Sequence, residues 1–191
     1  MKYDVILAGV GGQGVLSLAA IIARGAMLDG LQVKQSEVHG MAQRGGAVQA
    51  HLRLADHAIA SDLVALGSAD MILGLEPLES LRYLHYLNPR GIVVSASEPL
   101  KNIPDYPAPA ELYRRLQELP DRRLIDAEEL ARRAGCARAT NMVMVGAASG
   151  SLPVRRESLL RAMEEMFAAK GPAVVEANLE AFRLGAEEER G

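Results

Sequence analysis

The sequence predicts an α/β fold of three layers, with a mostly parallel sheet and helices gathered toward the C-terminal end. Three observations carry this. Residues 3–8, 69–75 and 91–95 are short, continuous apolar runs, as expected of strands buried on both faces. Stretches with apolar residues at helical spacing separate them or follow them. Between the first run and the first of these stretches stands Gly9-Val10-Gly11-Gly12-Gln13-Gly14.

That hexapeptide reads as a Rossmann-like or flavodoxin-like glycine turn, because a Cβ there would block positive-φ conformations and the approach of a ligand to the backbone. The helix after it spans Val15–Leu28, with Gly25 as its one weak point. Its opening N–H groups and dipole face the turn and favour an anion. Gly9, Gly11 and Gly14 match Gly-x-Gly-x-x-Gly, and Glu37, at the end of a second strand over 31–37, stands where a ribose-binding acid is expected. Nucleotide or phosphate contact and pure architecture are both open readings of these glycines.

Residues 38–46, Val-His-Gly-Met-Ala-Gln-Arg-Gly-Gly, form a polar loop leading to an alternating strand over 47–54. Ligands of open α/β sheets bind outside the carboxyl ends of the strands, so this loop is expected to face the glycine turn. It supplies His39, Gln43, Arg44, Gly45 and Gly46. Arg44 followed by two glycines is a candidate anion seat, the alternative being an ion pair with Glu37 and a loop-capping His39. His39, His51, His57 and His85 show no ligand spacing, and no metal site is expected.

Further on, Glu76-Pro77 opens a helix expected to run to about residue 87 and stop at Asn88-Pro89-Arg90-Gly91. Glu76 is either a first-turn acid or a group reaching the site. Four prolines between 98 and 109 predict a long surface loop. A helix over 110–119, a strand over 123–126 and a helix over 128–134 follow, then a low-polarity helix over Thr140–Ala148. Asn141 is either its cap or a ligand contact, and Met142 and Met144 are expected in the core. Two amphipathic helices, over 155–169 and 172–189, are expected to cover the sheet or dock on a partner.

The 191 residues suit a single domain over 1–191, and 49% hydrophobic residues allow a sizeable core. A net charge of −3 gives no basic excess to suggest nucleic acid. No apolar run reaches the ~20 residues of a membrane span, since Asp4, Arg24 and Asp29 interrupt the best candidate. The chain opens directly into a strand, so no signal peptide is expected and the cytoplasm is the default location. The single cysteine, Cys136, permits no internal disulfide and no cysteine-built zinc or iron–sulfur site within this chain. Despite nearby Arg132 and Arg133, a small buried thiol is its simplest reading.

With these motifs in view, the chain resembles the gamma-type domain of the 2-oxoacid:ferredoxin oxidoreductases over nearly its whole length. The resemblance rests on the 9–14 turn, on Ser36 to Gly46, on Gly74-Leu75-Glu76-Pro77-Leu78-Glu79, on Thr140-Asn141-Met142, and on Asn178, Ala181-Phe182 and Gly185. The Glu-Val-His-Gly-Met form of the second motif favours the indolepyruvate branch, where this chain would be the small, beta-type subunit.

The resemblance implies oxidative decarboxylation of an aryl 2-oxoacid to an acyl-CoA, carbon dioxide and reduced ferredoxin. Thiamin diphosphate and iron–sulfur clusters would lie in a larger partner subunit, through which ferredoxin would be reached. Coenzyme A would be a co-substrate, none of these groups being tightly bound to this chain alone. The isolated chain would be inactive, either monomeric or a homo-oligomer. The positions expected to bind cofactor are Gly9, Gly11, Gly12, Gln13, Gly14, Glu37, His39, Gln43, Arg44, Gly45, Gly46 and Asn141, and no catalytic residue is assigned. A stand-alone NAD-type oxidoreductase using Gly9, Gly11, Gly14 and Glu37, and a non-catalytic scaffold module, are the alternatives.

Overall fold

The computed structural model describes residues 1–39 and 45–188. Six strands form one sheet in the order β2-β3-β1-β4-β5-β6. They are β1 (Lys2–Val10), β2 (Gln32–His39), β3 (Ala47–Ala55), β4 (Ala69–Gly74), β5 (Leu87–Ala96) and β6 (Arg122–Ile125). β1, β4, β5 and β6 pair in parallel, whereas β3 runs antiparallel to both β1 and β2. β3 alone therefore opposes the common direction, and the mostly parallel expectation holds.

The strand alternation sorts side chains onto two faces. Val5, Leu7, Met71, Leu73, Ile92 and Val94 pack into a large core with α1 (Val15–Leu28), α4 (Ala127–Arg133), α5 (Thr140–Ala148), α6 (Arg156–Phe167) and α7 (Pro172–Glu187). Ile6, Ile72 and Val93 point the other way, into a smaller core with Leu81 of α2 (Pro77–Arg82) and Leu112 and Leu116 of α3 (Pro109–Gln117). Both faces are thus apolar, which is why the strands read as unbroken apolar runs.

The larger face is two helices deep. α6 lies against α1 and α7 against α5, so the C-terminal pair covers helices, not the sheet itself. From Asn141 to Ala148 every residue of α5 is buried, including Met142 and Met144, which explains its lack of a polar stripe. Two glycines permit the close approach of α7. A Cβ on Gly146 would lie 2.0 Å from the Phe182 carbonyl oxygen, and one on Gly185 would lie 2.0 Å from that of Val143.

Helix ends follow from local chemistry with one correction. α2 begins at Pro77 as expected but stops at Arg82, and a single 3₁₀ turn over Leu84–Tyr86 leads straight into β5 at Leu87. Asn88-Pro89-Arg90 is strand, not a helix stop. β6 first pairs at Val93, so the N-terminal part of β5 is an edge, and a register irregularity against β4 lies beside it. Proline is tolerated in that setting. α1, by contrast, spans Val15–Leu28 and α5 spans Thr140–Ala148, as the residue pattern predicts.

Candidate functional site

The glycine turn leaves the carboxyl end of β1 and its glycines serve different ends. Gly9 continues the strand, and a Cβ there would meet Val15 Cγ2 at 2.8 Å and Leu75 Cβ at 3.3 Å. Gly12 has open space around it but φ of 107°, and Gly14 has φ of 85°. Close packing requires the first; backbone conformation requires the other two. Gly11 donates its N–H to the Gly46 carbonyl (2.8 Å) and accepts from the Gly45 N–H (3.2 Å), extending the β1–β3 ladder one step past Val10 and Ala47.

Gln13 holds the turn in shape. Its Oε1 accepts the Val10 N–H at 2.8 Å and its Nε2 donates to the Leu75 carbonyl, at the end of β4, at 2.9 Å. Both ends of the amide are engaged by protein, so the side chain fastens the turn. Gly14 caps α1 without a side-chain acceptor, and no acidic residue stands in the first turn. The opening of α1 is therefore electropositive and uncompensated. A shallow cavity of about 270 Å³ lies against it, lined by Val10 to Gly12, Gly14 to Leu16, and Val48.

Distant segments converge here. Asn141, at the start of α5, directs its Nδ2 to the Gly14 carbonyl at 3.4 Å. Asn102, in the proline-rich loop, donates to the Gly45 carbonyl at 2.8 Å. Gly9, Gly11, Gly12, Gln13, Gly14, Gly45, Gly46 and Asn141 thus form one locus. Nothing in the sequence marks Asn102, since an asparagine among prolines is ordinary loop composition.

Glu37 is not brought there. β3 stands between β2 and β1, and Glu37 sits opposite Ala50, which in turn faces Leu7. Two strand spacings, about 10 Å, separate it from β1, and its Oε1 accepts from Gln35 Nε2 at 2.5 Å. The expected acid beside the turn is therefore displaced by the inserted antiparallel strand. His39 ends β2 opposite Val48. Gln43 and Arg44 lie outside the described residues.

Glu76 is the N-cap of α2, one residue before the first turn in which it was expected as an acid. Fully buried, its carboxylate accepts the Glu79 N–H at 2.9 Å, the Leu100 N–H at 3.3 Å and the Tyr106 hydroxyl. Burial and that carboxylate push the Tyr106 hydroxyl well above its ordinary range. Glu98 lines a cavity of about 40 Å³ together with Gln13 and Thr140, and Asp126, just past the end of β6, is its neighbour. Burial, then the Asp126 hydrogen bond, pushes Glu98 up to about 7, while Asp126 is lowered by the same bond. Sequence reading missed this pair, because the two residues are 28 positions apart and meet only through the pairing of β5 with β6.

Among the described residues no three of His, Cys, Asp and Glu come together to hold a metal ion, and no helix is long and apolar enough to cross a membrane. His51 is buried, with Nδ1 accepting the Val64 N–H at 3.0 Å, and burial lowers its pKa. Cys136, expected to be buried, is only half-buried.

The fold and the turn define the class: an α/β protein in which a glycine turn, the end of an antiparallel hairpin and the start of a buried helix meet at the carboxyl edge of the sheet. The chain belongs to the pyruvate ferredoxin/flavodoxin oxidoreductase family, whose model matches residues 4–188. It is 38% identical to the indolepyruvate oxidoreductase subunit IorB of Archaeoglobus fulgidus, covering 97% of this chain and 94% of that one. The subunit of the same name from Pyrococcus horikoshii is 35% identical, over 96% and 94% of the two chains. Among solved structures, the gamma subunit of a keto/oxoacid ferredoxin oxidoreductase from Geobacter sulfurreducens superposes with a TM-score of 0.71 at 25% identity, over 98% of both chains. The 2-oxoglutarate:ferredoxin oxidoreductase of Magnetococcus marinus, solved with 2-oxoglutarate, coenzyme A and succinyl-CoA bound, shares the fold at a TM-score of 0.78 and 21% identity. The match covers 99% of this chain and 31% of that one.

Proposed function

We propose that this chain is the small subunit of an indolepyruvate-type 2-oxoacid:ferredoxin oxidoreductase, and that its glycine-turn locus holds the pyrophosphate of coenzyme A. The near full-length likeness to two subunits named IorB supports the first part. The observation that carries the second is the electropositive, uncapped start of α1, framed by Gly11, Gly45, Gly46 and Asn141. A pyrophosphate needs several backbone N–H donors at close range, and only glycines allow that approach.

The assembled enzyme would oxidise one 2-oxoacid with release of carbon dioxide, pass two electrons singly to ferredoxin, and transfer the acyl group to the coenzyme A sulfur. The larger partner subunit would carry thiamin diphosphate and the iron–sulfur clusters; this chain's one cysteine cannot hold a cluster by itself. Thiamin diphosphate, when bound there, supplies the electron sink for decarboxylation. The residues of this chain bind and orient the coenzyme. Arg44, next to Gly45 in the sequence, would add a cationic fork to the anion seat, and Gln13 keeps the turn in register with β4. No group in the described locus is assigned a proton transfer.

Arg44→Ala in the assembled enzyme should weaken apparent coenzyme A affinity by about tenfold, the worth of one charge-assisted contact. Unchanged affinity would remove the coenzyme from this locus. The scaffold alternative would be favoured if the same variant lost assembly instead.

A further inference from the structure

A second cleft, of about 460 Å³, opens on the helical side of the molecule, between α1, the α4–α5 connection and α7. Its volume lies within the range of small-molecule sites, roughly 300–1,000 Å³. Two cations from different elements line it, Arg138 before α5 and Lys170 before α7. Among the described residues neither has a carboxylate or hydrogen-bond partner, and no acidic side chain lines the cleft. Lys170 lies 5.1 Å over the ring of Phe167, itself part of the wall. A surface on which most other arginines are paired leaves these two cations directed at one space.

Two asparagines point to a ligand independently. Asn141 and Asn178 are more than nine-tenths buried and both line the cleft. Each amide nitrogen gives one hydrogen bond to backbone, to Gly14 at 3.4 Å and to Val174 at 2.7 Å. One N–H of each amide and both amide oxygens are left without a partner among the described residues. These free amide atoms lie on the cleft wall and offer a bound molecule both donors and acceptors. α5, nine residues long, adds an N-terminus with no side-chain cap.

We infer that this cleft binds an organic phosphomonoester: Arg138 and Lys170 hold the phosphate, and Asn141 and Asn178 pair with hydroxyl or ring groups on its stem. A bare anion would leave the amide oxygens unpaired, and an uncharged molecule would leave the two cations without a counterpart. Asn141 reaches both this cleft and Gly14, so a ligand occupying the glycine turn could extend into it. The inference does not depend on such a ligand.

The test uses the full chain and adenosine 3′,5′-bisphosphate as probe. Cys136, the single cysteine, lines the cleft and reports occupancy through its rate of alkylation by iodoacetamide. Saturating probe should slow alkylation at least tenfold, and calorimetry should give a matching affinity. The Arg138→Glu/Lys170→Glu double variant, with both changes at exposed positions, should keep its circular dichroism but lose binding at least tenfold, protection being read against the variant's own probe-free alkylation rate, which the two new anions lower. Protection by coenzyme A but not by 3′-dephospho-coenzyme A would identify the source as the coenzyme's own 3′-phosphate. Protection by the bisphosphate alone would identify a separate nucleotide. No binding at millimolar probe, or equal protection of the double variant, overturns the inference. So does a double variant that fails to join the larger subunit when the wild-type chain binds no phosphate, which would give both cations to a protein partner. Arg44→Ala tests the glycine-turn reading separately, so either idea can fail alone.

Discussion

Asn141 stands against Gly14 across 127 residues of sequence, its Nδ2 3.4 Å from the Gly14 carbonyl oxygen and 2.6 Å from where a Gly14 Cβ would lie. The contact joins the first and fifth helices at the one point where the glycine turn, α1 and α5 begin. It also makes Gly14 doubly constrained, by its φ of 85° and by its neighbour.

Gly14→Ala should therefore destabilise the chain by about 2 kcal/mol or more, since the positive-φ cost of ~1 kcal/mol is joined by a steric one. Asn141→Ala removes the steric part only. The double variant should be less destabilised than the sum of the singles in a urea-denaturation cycle. Strict additivity would show that the two side chains do not meet.

Gln13→Ala should cost about 1–3 kcal/mol, because the Val10 N–H loses its acceptor and the Leu75 carbonyl its donor at a part-buried site. Gln13→Glu keeps the acceptor and sets a carboxylate against a carbonyl oxygen, so it should be at least as damaging. Equilibrium unfolding of the three chains gives the order directly.

The α5–α7 contact tolerates no added methyl. Gly146→Ala and Gly185→Ala each place a Cβ 2.0 Å from a backbone oxygen and should cost about 3 kcal/mol or more, as the helices must separate. Gly135→Ala, with φ of 78° and nothing within 4 Å, should cost only about 1 kcal/mol. Thermal melts that rank the three together would mean the helices part easily.

Stability should carry a signature of Glu98. Its folded pKa, about 7, lies above the ordinary 4.5, so the folded chain holds an extra proton between these values. The stabilisation is full below about 4.5 and is lost as pH rises through about 7. His51, lowered by burial, works in the opposite sense, losing stability as pH falls through its ordinary 6.5. The difference between wild type and Glu98→Gln isolates the carboxyl. Wild-type melting temperature relative to the variant should fall between pH 5 and 7.5, and a constant difference would show that Glu98 titrates normally.

Local residue chemistry made much of this molecule legible. The glycine turn, α1 and α5 stand where the pattern of Val15 to Leu28 and Thr140 to Ala148 puts them, because spacing and turn residues act within a few positions of chain. Pro77 opens α2 for the same reason. The end of α2 was not legible: Asn88-Pro89 looks like a stop but lies in a strand, a fact decided by which neighbour β5 lacks along its first residues.

By itself the sequence determined the α/β class, the family and the residues of the turn, since each depends on short-range pattern. Only the tertiary structure decided which partners meet that turn. Inserting β3 between β1 and β2 brings Gly45 and Gly46 to Gly11 and carries Glu37 away; the packing of α5 on α1 and α7 brings Asn141 to Gly14. Strand order and helix contact depend on how two apolar faces are jointly covered, a property of the folded whole that no local spacing encodes.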